Sequence, residues 1–570
     1  GIVRGISIYL LFYSGPILFL IISNLKFSKA AIRNYNYFLS ILLDSICLIG
    51  IFIYFFQNKI VNLFGDKSCT SVKPYIGLEQ EYFLIDKDDY QKRIDIRLTG
   101  TTLIGAIPPK SQQLRDHYFG DIPTRVEAFM KDVDNQLWEL GIQAKSEHNE
   151  VAPGQFELAC IYKDANIAVD QNIIVMDVLK RVALKHNMVC LLAEKPFKGI
   201  NGSGKHNNYS LITNTGTNLF DPGKNPHENI QFLIFVCALI SAVDKYSDLL
   251  RLTSSNPGND YRLGADEAPP AIVSIYLGDV IESVLDSIVS SSPTNYRKNN
   301  LKDFSISTLS YLPHDNSDRN RTSPIAFTGN KFEFRMLASS ANASNLTLTI
   351  NTILANELRI IASRLLENKY RQDIRKDALS ICAEIINKHH RILFSGDGYS
   401  ASWVKEAQKR GLSNIKTFYE AIEYFLKDES IELFSSNGVF TKEEIQSRGY
   451  IFYEDYVSKK TIEAKTLIDM IRSYCTPCVR KEIYDLNKTN LSCDQEIINQ
   501  LTEYVSKSNE LCANIEHQLL KVNEIEDIKE KGKYILDNIV PLMVELRKYY
   551  DDIEKYISHE NLIYPTYREL

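Results

Sequence analysis

Six glutamates stand in or beside segments of strand composition. Glu79 and Glu81 lie in "IGLEQEYFLID", Glu150 and Glu157 in "EVAPGQFEL", Glu267 in "GADEAPP" and Glu333 in "KFEFRML". With a side-chain period of two, Glu79 and Glu81 share one face of their strand, and Glu333 shares a face with Arg335. Carboxylates inside an apolar strand are costly to bury unless they are paired, or else they take up protons. A cation among them relieves that cost, and carboxylate oxygens are the ligands of hard divalent ions such as Mg²⁺ and Mn²⁺. Arg262, Arg335 and the run "DRNR", which ends at Arg321, add fixed positive charge suited to carboxylate or phosphate. With His206 and a glycine-rich loop, the set reads as metal-assisted phosphoryl transfer.

The loop "GINGSGKHNN" (199–208) spells G-x-x-x-x-G-K, but His206 stands where a phosphate-binding loop carries Ser or Thr. It follows one strand and runs into another, "HNNYSLIT", so no helix N-terminus is there to receive phosphates. The period of that second strand sets His206, Asn208 and Ser210 on one face. The stretch therefore reads as a loop for substrate and metal.

The elements that must position these groups are strands alternating with amphipathic helices. Strands are predicted at 76–86, 154–160, 188–194, 206–213, 268–278 and 331–337. Helices are predicted within 164–187 and 227–253, and over 123–141, where Val126, Phe129, Val133, Leu137 and Leu140 fall at helical spacing between Pro123 and Gly141. Beyond about residue 343 the pattern is helical, with Ile497, Leu501 and Val505 on a seam that reads as helix-to-helix core.

At 570 residues the chain exceeds a single core, so roughly two to four domains are expected. A net charge of −6 provides no electrostatic footprint for a nucleic-acid partner. The 10 cysteines are scattered, and the one tight pair, Cys475 and Cys478, has no second pair or histidines beside it. These read as core thiols of a reduced, cytoplasmic protein.

Residues 1–73 differ from the rest. Gly5 to Leu25 carries no charge, and Asn34 to Asn58 only Asp44, so each run is long enough to span a bilayer. The intervening Lys26, Lys29 and Arg33 would hold that loop in the cytosol and put the body on the far side from ATP. The first methionine is Met130. Three readings stay open: a two-helix membrane anchor, a segment foreign to the gene product, or a cleaved or partial leader.

Taken in order, "EQEYFLID", "EVAPGQFEL", "NGSGKHNNYSL", "YRLGADEAPPAIVSIYLG", "NRTSP" and "KFEFRML" resemble glutamine synthetase, in wording its type III subfamily. The likeness extends over 74–570, through "GDGYSASWVKEAQKRGL" to the terminal "YPTYREL". It implies an α+β fold: a catalytic domain (74–395) with a curved antiparallel sheet flanked by helices, then a helical C-terminal region (396–570). The activity implied is ATP-dependent ligation of ammonia to L-glutamate through γ-glutamyl phosphate, by a homo-oligomeric ring using two or more Mg²⁺ or Mn²⁺ ions per site.

Carried over, Glu81, Glu150 and Glu157 resemble ligands of one ion, and Glu79, His206 and Glu333 those of the ion on the ATP phosphates. Asn201, Gly202, Arg262 and Arg335 are similar to glutamate-binding residues, Ser210 and Arg321 to ATP contacts. Arg321 also resembles the group that steadies the transferring phosphate, and Glu267 the carboxylate that takes a proton from ammonium. Ala326 stands where the family has a second arginine, and Asp266 adds a charge beside Glu267. Residues 1–73 lack the pattern of the family's β-grasp domain, which completes a neighbouring subunit's site. An inactive relative with a structural or sensing role, and a ligase for another amine, are the alternatives.

Overall fold

The computed structural model describes residues 59–265, 268–290, 321–367 and 373–570. Both long apolar runs of the first 58 residues, Glu267 and the start of "DRNR" lie outside the described residues. The last part of the 1–73 segment is described: 59–63 is helical, Ile60 and Val61 are buried, and the first strand already begins at Val72. Among the described residues no helix is long and apolar enough to cross a membrane.

A 15-residue strand, β1 (Val72–Asp86), is the axis of a nine-stranded sheet. Its length lets it pair on both edges. β3 (Gln155–Cys160) and β4 (Lys163–Asp164) take one side, and β6 (Lys205–Thr213) and β5 (Met188–Leu191) the other. β2 (Ala144–Asn149) adds to β3, and β9 (Phe332–Phe334), β8 (Ile325–Phe327) and β7 (Ile275–Tyr276) extend the sheet beyond β6. All pairings are antiparallel except β7 with β8, so the sheet is mixed at that end. The strand predicted over 268–278 shrinks to two residues, since Pro269 and Pro270 have no N–H to donate to a ladder.

One face of the sheet is covered by α1 (Thr124–Glu139) and α2 (Ala165–Lys185). Tyr82, Leu84, Phe156 and Leu158 meet Phe129, Val133, Val178 and Val182 there. Leu140, predicted on the seam of α1, is instead exposed, because the helix ends at Glu139 and Gly141 turns the chain away. Behind β6 lie α3 (Ile230–Thr253), α4 (Ser344–Glu367) and α5 (Ile374–His389), with Asn207 and Tyr209 hydrogen-bonded to Thr347 and Asn351 of α4. The C-terminal region is helical, dominated by α6 (Lys442–Met470), α7 (Gln495–Glu524) and α8 (Val540–Glu554). The predicted seam of α7 holds at Leu501 and continues through Tyr504, Leu511 and Ile515. Cys475 and Cys478 are both buried free thiols.

The helix-covered face contains one acidic anomaly. Glu147 of β2 sits near Tyr82 and Asp134, and a carboxylate oxygen of each acid and the Tyr82 hydroxyl are buried without a hydrogen-bond partner among the described residues. Burial, then the Asp134 charge, pushes the Glu147 carboxyl up to about 8 from 4.5. Below about 4.5 the group holds its proton in folded and unfolded chains alike. As pH rises towards 8 the unfolded chain ionises while the folded one resists, so native stability is lost across that window. Glu147→Gln removes this dependence. Its melting temperature relative to the parent chain should be higher at pH 8 than at pH 5, and a constant difference would mean that Glu147 is not buried as a neutral acid.

Candidate active site

The site is assembled by strand register. On the face away from α1 and α2, His148 of β2 stands opposite Glu157 of β3, and Glu157 opposite Glu81 of β1. One step along β1, Glu79 faces His206 of β6, and Asn208 of β6 faces Glu333 of β9. The intervening residues turn the other way, which is why Gln80 is buried against Ser339 and Asn172. Alternation within each strand and pairing between strands thus deliver five side chains from five strands to one spot, besides Glu79.

The distances are short. His206 Nδ1 lies 3.1 Å from Glu79 Oε2 and 3.3 Å from Glu333 Oε1, and its Nε2 lies 3.4 Å from Glu81 Oε1. His148 Nε2 is 3.2 Å from Glu157 Oε1, and its Nδ1 is 3.5 Å from Glu150 Oε1. Three groups of ligand atoms come together closely enough to share an ion: Glu79, His206 and Glu333; Glu81, Glu157 and His206; His148, Glu150 and Glu157. The donors are carboxylate oxygens with an imidazole, a set suited to Mn²⁺ or Mg²⁺. The first group contains the residues carried over for the ATP-side ion. Those carried over for the other ion are divided between the remaining two groups, which have Glu157 in common.

Protonation reflects the crowding of like charges. Burial, then Glu81 and Glu157, raises the Glu150 carboxyl to about 8. Burial raises Glu157 too, against the hydrogen bond from His148. That bond leads in raising the His148 imidazole to about 9. For His206, burial and Arg335 oppose the charge, but Glu333, Glu79 and Glu81 override them and bring it to about 10. The cluster therefore gathers protons in place of other cations.

Except for Glu333, which is buried behind His206, these groups line a polar cavity of about 100 Å³ together with Asn201, Gly202, Arg262, Arg335 and Arg321. Arg262 and Arg335 are almost fully buried, and the Nε of each has no hydrogen-bond partner among the described residues. Glycines make the close approach feasible. A Cβ on Gly204 would lie 2.1 Å from the Arg262 guanidinium, and one on Gly202 would lie 2.2 Å from the Glu194 carbonyl oxygen. Asn201 is fixed by Gln112, whose amide exchanges two 2.9 Å hydrogen bonds with it. The Arg321 guanidinium carbon is 6.0 Å from the centre of the Tyr118 ring.

Ser210 shares the face of His206 but lies four residues further along β6, opposite Tyr75, and does not line the cavity. Ala326 is fully buried in β8, opposite Glu333. Lys205 is also fully buried and points to the opposite face, where its ammonium meets the Ala341 carbonyl and Met176. It cannot cradle a phosphate in the cavity. Sequence reasoning missed His148, Gln155 and Tyr118. His148 and Glu150 alternate in "EHNE", which is a signal, but only the register with Glu157 shows its use.

The family described as "Glutamine synthetase, catalytic domain" matches residues 61–252, and "Glutamine synthetase C-terminal domain" matches 377–494. A glutamine synthetase of Butyrivibrio fibrisolvens is 43% identical over 90% of this chain and 74% of its own length. The type-3 glutamine synthetase of Dictyostelium discoideum is 39% identical over 89% of this chain and 71% of its own. One from Bacteroides fragilis is 41% identical over 90% and 73%. Identity of that order along nearly the whole chain, joined to a carboxylate-lined cavity on the sheet, means that the chain belongs to the glutamine synthetase family, is similar to its type III members, and is a glutamate–ammonia ligase.

Proposed function

We propose that this chain joins ammonia to L-glutamate through γ-glutamyl phosphate, with ATP as phosphoryl donor, using the side chains on the acidic face of the sheet. The observation that carries the assignment is the convergence of Glu79, Glu81, Glu150, Glu157 and His206 with three arginines on one small polar cavity. Glu79, His206 and Glu333 would hold one Mg²⁺ or Mn²⁺ ion, and Glu81, Glu150 and Glu157 a second, with His148 beside it. Bound there, the ions neutralise the carboxylates and polarise phosphate oxygens.

Arg262 and Arg335 present fixed charge to the carboxylates of glutamate, and each has an Nε–H without an acceptor among the described residues. Asn201 and Gly202 shape the pocket beside them. Arg321, at the exposed side, faces charge developing on the transferring phosphoryl group, a role that can contribute about 10³-fold or more in rate. Ser210 lies on the same strand face, further out, where the body of ATP would extend. Glu267 is assigned the proton of ammonium on the resemblance alone, and its neighbour Ala268 lines the cavity. A homo-oligomeric ring belongs to the same reading.

Two measurements test it. In glutamate- and ammonia-dependent ADP release, Glu157→Gln and Arg335→Ala should each lower kcat/KM by about 10²-fold or more. His206→Ala should raise the Mn²⁺ concentration required far more than Lys205→Met does, and equal effects would restore the phosphate-loop reading. Separately, Mn²⁺ titration calorimetry should show affinity rising from pH 6.5 to 8.5 with proton release. The groups raised to about 8, 9 and 10 must lose protons to become ligands, so affinity is lowest where they are charged or neutral acids. Affinity independent of pH would argue against metal binding by these side chains.

A further inference from the structure

A second cavity, of about 620 Å³, lies outside the site just described. It is bounded by the short helix Ile94–Thr99, the end of α2, β5 with the loop after it, and α6. Its volume is in the range of small-molecule sites. Three large apolar side chains on its walls are exposed: Leu98 at 56%, Leu184 at 49% and Ile462 at 46%.

The charged groups around the cavity are unevenly satisfied. Its two acids are already engaged. Glu194 Oε1 accepts from Asn256 Nδ2 at 2.8 Å, from the Ser340 amide at 3.0 Å and from Ser340 Oγ at 2.6 Å. Glu463 accepts from the Tyr261 hydroxyl at 2.8 Å and from Lys460 at 3.0 Å. Of the bases, Lys459 pairs with Asp455, and Lys195 donates to the Ile200 carbonyl. Arg97 and Lys180 have no carboxylate partner among the described residues, where the Arg97 guanidinium donates only to the Gln91 carbonyl. Apolar walls beneath two unneutralised cations suit a small anion with an apolar body.

The cavity wall is also tied to the active site by hydrogen bonds. Glu194 holds Asn256, Asn256 Oδ1 accepts from the Asn259 amide at 3.0 Å, and Asn259 Oδ1 accepts from Arg262 at 3.3 Å. The Glu194 carbonyl also accepts from the Ser203 amide at 2.8 Å, next to Gly202. We propose that this cavity is an effector site for a small amphiphilic anion, bearing a carboxylate, sulfonate or phosphate, and that its occupancy changes glutamate affinity through Glu194, Asn256, Asn259 and Arg262. The coupling rests on the proposed role of Arg262 in holding glutamate. The binding site itself does not.

Anilinonaphthalene sulfonate, an anion with an apolar body and a fluorescence that reports burial, is the probe. Titrated into the full chain it should bind saturably at one site. Lys180→Glu and Ile462→Glu, both at exposed positions that do not line the acidic cavity, should each weaken binding about tenfold or more while leaving the melting temperature and basal kcat near those of the parent. Binding unchanged in both variants would overturn the site. The bound probe should also shift KM for glutamate several-fold with little change in kcat, and by linkage glutamate should shift the probe's Kd by the same factor. Probe binding that depends on Lys180 and Ile462 but leaves KM unmoved would overturn the effector role. If KM did not move in Arg262→Ala either, the fault would lie with the glutamate assignment rather than with the cavity.

Discussion

The rest of the structure is arranged around the mutual repulsion of carboxylates held a few ångströms apart on one face of β1 and its neighbours. Glu81 and Glu157 are directly opposed across the ladder, Glu333 is fully buried, and Glu150 adds a fourth acid at the end of β2. Like charges directly opposed across strands are destabilising, and burial enlarges the effect by removing the water that would screen them. The fold answers with two imidazoles wedged among them and with arginines at the edge. Uptake of protons by Glu150, His148 and His206 is the same answer given by solvent. A face with this need for positive charge is suited to a reaction in which multiply charged phosphates must be brought to a carboxylate.

That face is tolerable only because the opposite face is built for stability. Tyr82, Phe156 and Leu158 alternate with the acids on the same strands and bury against α1 and α2. Such burial contributes roughly 1.5–3 kcal/mol per large apolar side chain, which offsets the strain of the acidic face. Several polar residues that turn inward are hydrogen-bonded, Gln80 with Ser339 and Asn172, Asn207 with Thr347, Tyr209 with Asn351, while Glu147 and the Tyr82 hydroxyl are the exceptions. The period of two thus does two jobs in one segment, and a slip of one residue in the register of β1 would exchange the acidic and apolar faces.

Much of this was legible in the sequence because strand alternation is a local property. "EQE" in an apolar run placed two acids on one face, and "KFEFR" a third with its arginine. The α1 seam followed from helical spacing as far as Leu137. What was not legible depends on pairing between distant segments. His148 becomes a neighbour of Glu157 only through the β2–β3 register, and Tyr118 reaches the cavity from a loop anchored by Asn149, which donates to the carbonyls of His117 and Gly120. Ser210 shows the reverse case. The period gave its face correctly, but the distance along a strand, about 3.4 Å per residue, carries it away from the cavity. The segment 268–278 had strand composition, yet only Ile275 and Tyr276 pair, and Pro269 and Pro270 lack the N–H that a ladder at its start would need.

The C-terminal region contributes to the site although it supplies no side chain to it. Arg93 and Asp95 form a fully buried ion pair, and Arg93 also donates to the carbonyls of Pro565 and Ile104. A buried pair of this kind is weak evidence for added stability, but removing one partner strands a charge, so it fixes geometry strongly. The terminal residues are thereby clamped against 93–104, and the Tyr567 hydroxyl accepts from the Lys198 amide and from Arg547 while meeting Thr102. Lys198 opens the loop that presents Asn201 and Gly202 to the cavity. The helices from α6 to α8 and the last residues of the chain therefore act as a brace behind the substrate loop, holding from outside what strand register cannot reach.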